Sequence, residues 1–190
     1  AFNLSKFLAS KGKKVVLIGS DLGNPDLSKL FDQKNKNSKG LTNIINDTKN
    51  DFQELFEDYK ITNNQFDTLF VGTQTNTKIS IFDTKKFDDL ISYLKEKYDY
   101  IIFDSAPILF MVDSLELLEK SDYVVHVFRK NFSSKKLVNY VLDYKEKYNK
   151  KNIGYVITDD TKPDKFIDKY GYGYGYGYGY GYGYAYNGGS

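Results

Sequence analysis

The sequence predicts an α/β fold, a parallel sheet flanked by helices on both faces, on three observations. Five short runs are apolar at nearly every position: VVLIG (15–19), TLFVG (68–72), YIIFD (100–104), YVVHVF (123–128) and IGYVIT (153–158). Val, Ile, Tyr and Phe dominate them, as in strands covered on both faces. Stretches with helical spacing separate them, and strands alternating with helices indicate a parallel sheet.

Each element carries its own signal. The opening AFNLSKFLASKGKK places Phe2, Phe7 and Leu8 on one helical face. A chain that begins inside a helix, without an initiator methionine, is expected to be a fragment lacking an upstream segment. In FDDLISYLKEKY, Phe87, Leu90, Ile91, Leu94 and Tyr98 form an apolar stripe, with Asp, Ser, Lys and Glu on the other face. SSKKLVNYVLDYKEKY (133–148) repeats this pattern behind a serine suited to capping. QKNKNSKG (33–40) and GTQTNTKIS (72–80) are polar and read as loops. Past Asp164 the composition changes, which predicts a globular domain over 1–165 and a low-complexity tail over 166–190.

Composition narrows the function classes. Lys and Arg number 27 against 25 Asp and Glu, and a net charge of +2 is too small to argue for nucleic acid or acidic lipid. There is no cysteine, so disulfides and thiolate metal sites are excluded. The one histidine, His126, lies inside YVVHVF and reads as a satisfied core residue rather than a ligand or base. No run approaches the ~20 apolar residues that cross a bilayer.

In a parallel α/β sheet, ligands bind beyond the carboxyl ends of the strands. Two strands end there in aspartates. VVLIGSDLGNPDLSKLF places Asp21 two residues past its strand, and YDYIIFDSAPIL places Asp104 at the last strand position with Pro107 in the turn. Carboxylates held at a sheet edge offer hard oxygen ligands for Mg²⁺. Each aspartate alone reads equally well as a helix cap or turn residue.

Together, in this order, the motifs resemble the bacterial tyrosine kinases of capsule and exopolysaccharide synthesis, relatives of the ParA/MinD P-loop ATPases. AFNLS is similar to that family's helix after the Walker A loop, and GKKVVLIGSDLGNPDLSKLF to its Walker A′ element. KGLTNIIND resembles its G-L-x-x-x-L segment, EKYDYIIFDSAPIL its Walker B, and KNIGYVIT its last core strand. In MVDSLELLEKSDYVVHVFRKNFSS, Asp113 and Arg129 fall on matching positions. The likeness runs over nearly all of 1–160. It departs from the pattern at Gly19, where the family has the first of two aspartates, and at Gly23, where it has an arginine. In TNTKIS (75–80) only Asn76 matches the family's N-P-x-E-L-L. The Walker A loop G-x-x-x-x-G-K-[ST] does not occur in these residues; by the register of AFNLS it is expected a few residues before Ala1.

The resemblance implies a P-loop fold, ATP and Mg²⁺ as cofactors, and phosphoryl transfer to tyrosine. It implies Asp21 as catalytic base or metal-side carboxylate, and Asp104 as a nucleotide-site residue in the Mg²⁺ shell. The partners implied are further copies of the chain and a membrane polysaccharide co-polymerase or export protein, at the cytoplasmic face of the bacterial inner membrane, with no nucleic acid.

The tail is the run YGYGYGYGYGYGYGYAY, with Tyr170, Tyr172, Tyr174, Tyr176, Tyr178, Tyr180, Tyr182, Tyr184 and Tyr186 at alternate positions. Alone it says only flexible and phenol-rich. Its 17 residues, at up to ~3.4 Å each, extend roughly 58 Å, enough to reach a neighbouring subunit. Behind a kinase-like domain these tyrosines are the expected phosphoacceptors. The competing expectation is a catalytically weak, ParA/MinD-like protein that assembles with the membrane component. A third reading, a structural domain with an aggregating tail, requires both strand-end aspartates to be coincidental.

Overall fold

The computed structural model describes residues 1–23, 27, 39–48, 51–63, 65–73, 80–106, 112–147 and 152–158, with the backbone alone at 112–114 and 144–147. The tail tyrosines, Pro107, Asn76 and the expected boundary at 165/166 lie outside these residues. Packing divides the chain into two units, Ala1–Val124 and Val125–Ser190.

The first unit is built on β1 (Val15–Gly19), whose five residues are all buried. Parallel neighbours flank it, β3 (Asp67–Leu69) on one side and β4 (Tyr100–Asp104) on the other. A two-residue strand, β2 (Ile61–Thr62), pairs antiparallel with β3, giving the order β2-β3-β1-β4. Side chains alternate along β1, so Val16 and Ile18 enter one core and Val15 and Leu17 the other. Helix α1 (Phe2–Ser10) covers the second core through Phe2, Leu8 and Ala9. The first core is covered by α2 (Leu41–Asn46), α3 (Phe52–Tyr59) and α4 (Lys85–Lys97), with Leu117 from α5 (Val112–Lys120). Both faces are helical, as expected.

Helix α4 follows its sequence stripe: Phe87, Leu90 and Leu94 are fully buried, while Ile91 and Tyr98 pack at the margin. Thr84 Oγ1 accepts from Phe87 N at 3.2 Å and caps its start; Lys95 and Lys97 complement the dipole at its end. In the second unit, β5 (Val124–Arg129) pairs with β6 (Ile153–Thr158), and α6 (Lys135–Lys147) lies between them in sequence. The expected serine cap is Ser134, whose Oγ accepts from Leu137 N at 3.2 Å.

Three expectations need correction. The five strands do not form one all-parallel sheet: β5 and β6 make a separate two-stranded sheet, and β2 makes the larger one mixed. TLFVG is strand only to Leu69, because the carbonyls of Phe70 and Val71 turn to the amides of Leu41 and Thr42. His126 is not a satisfied core residue. It is half-buried beside Phe128 and Tyr155, and its Nε2 is buried without a hydrogen-bond partner. Burial holds its pKa below the ordinary value.

Candidate functional site

The parallel register places Gly19 opposite Asp104, so both strand-end aspartates leave the sheet at the same edge. The chain past β1 then folds onto the Asp104 carbonyl. That oxygen accepts from Ser20 N at 2.9 Å, Asp21 N at 3.1 Å and Ser20 Oγ at 3.0 Å. Ser20 is buried, and three donors on one carbonyl fix the Asp21 backbone against the end of β4. The Asp21 carboxylate accepts from Gly23 N at 3.1 Å, a short turn closed by the side chain. Asp21 and Asp104 are each half-buried.

Gly19 lies against the segment after β3. A Cβ there would stand 3.3 Å from Val71 N and 3.4 Å from Leu27 Cδ2, so a side chain at 19 requires its neighbours to give way slightly. Of the other positions singled out from sequence, Asp113 lies in α5 with only its backbone described. Arg129 is exposed in the second unit, its guanidinium 5.5 Å from the centroid of the Phe132 ring.

A second cluster at the same edge escaped the sequence reading. Asn43 Oδ1 accepts from Gly40 N at 3.0 Å and Thr73 N at 3.1 Å, while its Nδ2 donates to Thr73 Oγ1 at 2.7 Å. The buried Thr42 hydroxyl lies within reach of Val71 O and Thr73 O. Gly40 and Gly72 make the close approach possible. A Cβ on Gly40 would collide with Phe70 O, and one on Gly72, at φ +92°, with Asn43 Oδ1. The available signal was Asn43 three residues after Gly40, the offset from which a side-chain oxygen can reach back to the amide that precedes a helix.

The opposite edge of the sheet carries a structural network. Tyr98 Oη donates to Asp67 at 2.5 Å, and Lys60 bridges Asp67 and Glu57 at 3.2 and 2.8 Å. Lys97 and Tyr93 reach Glu57 at 2.7 and 3.0 Å. The hydrogen bonds from Lys60 and then Lys97 hold the Glu57 pKa at about 2, against burial. Burial, then the Asp67 carboxylate, pushes the Tyr98 hydroxyl well above its ordinary value. Asp67 begins its strand, so this network stands away from the aspartate edge.

Chemically, Asp21 and Asp104 supply oxygen donors that fit Mg²⁺ in type and in their common edge. Among the described residues, no group of three or more acidic or histidine side chains could hold a metal unaided. Mg²⁺ is commonly held by one or two carboxylates together with waters and substrate phosphates.

Residues 1–153 match the family model described as AAA domain. The chain is 31% identical over 172 residues to Tyrosine-protein kinase CpsD of Streptococcus pneumoniae, covering 89% of this chain and 71% of that protein. It is 32% identical over 103 residues to Septum site-determining protein MinD of Helicobacter pylori, covering 54% of this chain and 37% of that protein. Among solved structures, the VpsO kinase domain superposes with a TM-score of 0.72 at 26% identity, covering 82% of this chain and 74% of that one.

Proposed function

Because the chain belongs to the P-loop ATPase superfamily, within the branch that holds the CpsD-type tyrosine kinases and their MinD/ParA relatives, we propose that it is an ATP-dependent protein-tyrosine kinase. Its acceptors are its own tail tyrosines, Tyr170 to Tyr186. The observation that carries this reading is the likeness to the tyrosine kinase CpsD over most of the chain, with Asp21 and Asp104 at one strand edge.

Bound Mg-ATP would supply the transferable phosphoryl group and the cation that neutralises its charge. Asp104 and Asp21 would face that cation with their carboxylate oxygens. A tail tyrosine's Oη forms the new P–O bond as the bond from the γ-phosphorus to the bridging oxygen breaks, and ADP departs with that electron pair. Asp21 orients the hydroxyl and takes its proton. The ordinary tyrosine pKa near ~10 makes this a modest demand in a loose transition state. Gly19 and Gly23 leave Asp21 to act without a neighbouring carboxylate or guanidinium on that turn.

The proposed setting is a homo-oligomer whose tails are modified in trans, assembled with a membrane polysaccharide-export component and serving capsule or exopolysaccharide synthesis. No described helix is long and apolar enough to cross a membrane. The local identity to MinD supports a second reading, a catalytically weak assembly partner of that membrane component. Incubation of the full-length protein with Mg-ATP, followed by phosphotyrosine mapping, separates the two. Label in 170–186 is expected. A folded, ATP-binding protein without label there rejects self-phosphorylation of the tail and favours the assembly partner.

A further inference from the structure

The Asn43 side chain uses three hydrogen bonds to join the turn before α2 to the segment after β3, where one would cap the helix. Two amide N–H groups point at the same atom of Asn43, which identifies that atom as the carbonyl oxygen. Leu41 N to Phe70 O at 2.9 Å and Thr42 N to Val71 O at 2.8 Å extend the seam. The seam ends on β1, because the Val71 backbone is the nearest neighbour of the space beside Gly19. One residue on, Ser20 and Asp21 hang from the Asp104 carbonyl. Asn43 is thus hydrogen-bonded to Thr73 and Thr42 to Val71, and the Val71 backbone neighbours Gly19, the residue before Ser20 and Asp21.

We propose that Asn43 is a positioning residue for the strand-end site: by holding the 71–73 segment against the end of β1, it keeps Ser20 and Asp21 seated on Asp104. Only the kinetic consequence rests on the phosphoryl-transfer reading. The side chain has the reach and the donor pattern for this role, and α2 requires only part of it.

The test is residue-resolved amide hydrogen exchange on the full-length protein, comparing wild type with Asn43→Ala and Asn43→Asp. In Asn43→Ala, exchange should quicken about tenfold or more at Ser20 and Asp21 as well as at Gly40 and Thr73. Asn43→Asp should restore protection, since a carboxylate keeps both amide bonds and the Thr73 hydroxyl can turn to donate. In tyrosine phosphorylation, Asn43→Ala should lower kcat at least about tenfold with little change in the KM for Mg-ATP, and Asn43→Asp should recover it. Faster exchange confined to Gly40 and Thr73, with Ser20 and Asp21 unchanged, overturns the proposal. If Asn43→Ala does not fold, Thr73→Val reads the same coupling by removing only the hydroxyl that Nδ2 serves. A wild type without kinase activity rejects the kinase reading, and the exchange result still decides the role of Asn43.

Discussion

Asp21 is placed by its backbone, through its amide bond to Asp104 O, and its carboxylate accepts from Gly23 N. Asp21→Asn keeps an acceptor for that amide and removes the charge. We expect it to lower tyrosine phosphorylation by roughly 10²–10⁴-fold in a variant that still folds. An unchanged phosphorylation rate in the folded variant would remove Asp21 from the mechanism. Gly72 tests the neighbouring seam. At φ +92°, with Asn43 Oδ1, Gly40 N and Thr42 Oγ1 crowding the Cβ position, Gly72→Ala should cost roughly 1–3 kcal/mol in urea unfolding. A variant as stable as wild type would mean that the 71–73 segment yields easily. The two aspartates were legible because each stands at or just past the end of an apolar strand that the sequence announces. Ser20, Asn43 and Thr73 were not, because their roles depend on which distant main chain lies beside them.

At the scale of elements, α4 shows how an amphipathic stripe becomes stability. Leu94 is fully buried in the larger core, so Leu94→Ala should destabilise by about 2–5 kcal/mol in denaturant unfolding. A loss below about 1 kcal/mol would mean that the core around α4 collapses onto the gap. Beyond the apolar packing of α3 on α4, the Glu57–Lys97 ion pair joins them and predicts a pH dependence. Glu57 titrates at about 2 in the folded protein against 4.5 ordinarily. Its contribution is present above pH 4.5 and is lost as pH falls from there toward 2. The Glu57 side chain is 40% exposed, so solvent screening keeps the contribution modest. Glu57→Gln should lower stability at neutral pH and flatten the acid limb in that window. Parallel acid-unfolding curves for the two proteins would show that the pair does nothing for the fold. Helix α4 could be read from its spacing alone. The partner across the gap could not, since Glu57 reaches Lys97 from forty residues away.

For the whole molecule, the proposed self-phosphorylation would make the tail the site of the largest change in charge. Phosphate on all nine tyrosines between 170 and 186 adds about −14 to −18, against a formal +2 for the chain. Where tails of an assembled kinase converge, that charge should drive subunits apart, so sedimentation velocity should show smaller species after Mg-ATP treatment than before. An unaltered distribution with fully labelled tails would rule out charge-driven disassembly. The sequence by itself determined the α/β class, the position of β1, β4 and β6, both strand-end aspartates and the repetitive composition of the tail. These follow from local periodicity and from residue chemistry at fixed offsets along the chain. Only the tertiary structure decided the rest: that β2 adds an antiparallel edge, that β5 and β6 pair in a separate sheet, and that Asn43 stitches the turn before α2 to the segment after β3. The physical reason is common to all three. Backbone amides and carbonyls are the same at every residue, so the sequence records which faces avoid water and leaves the choice of hydrogen-bond partner to the packing of distant segments.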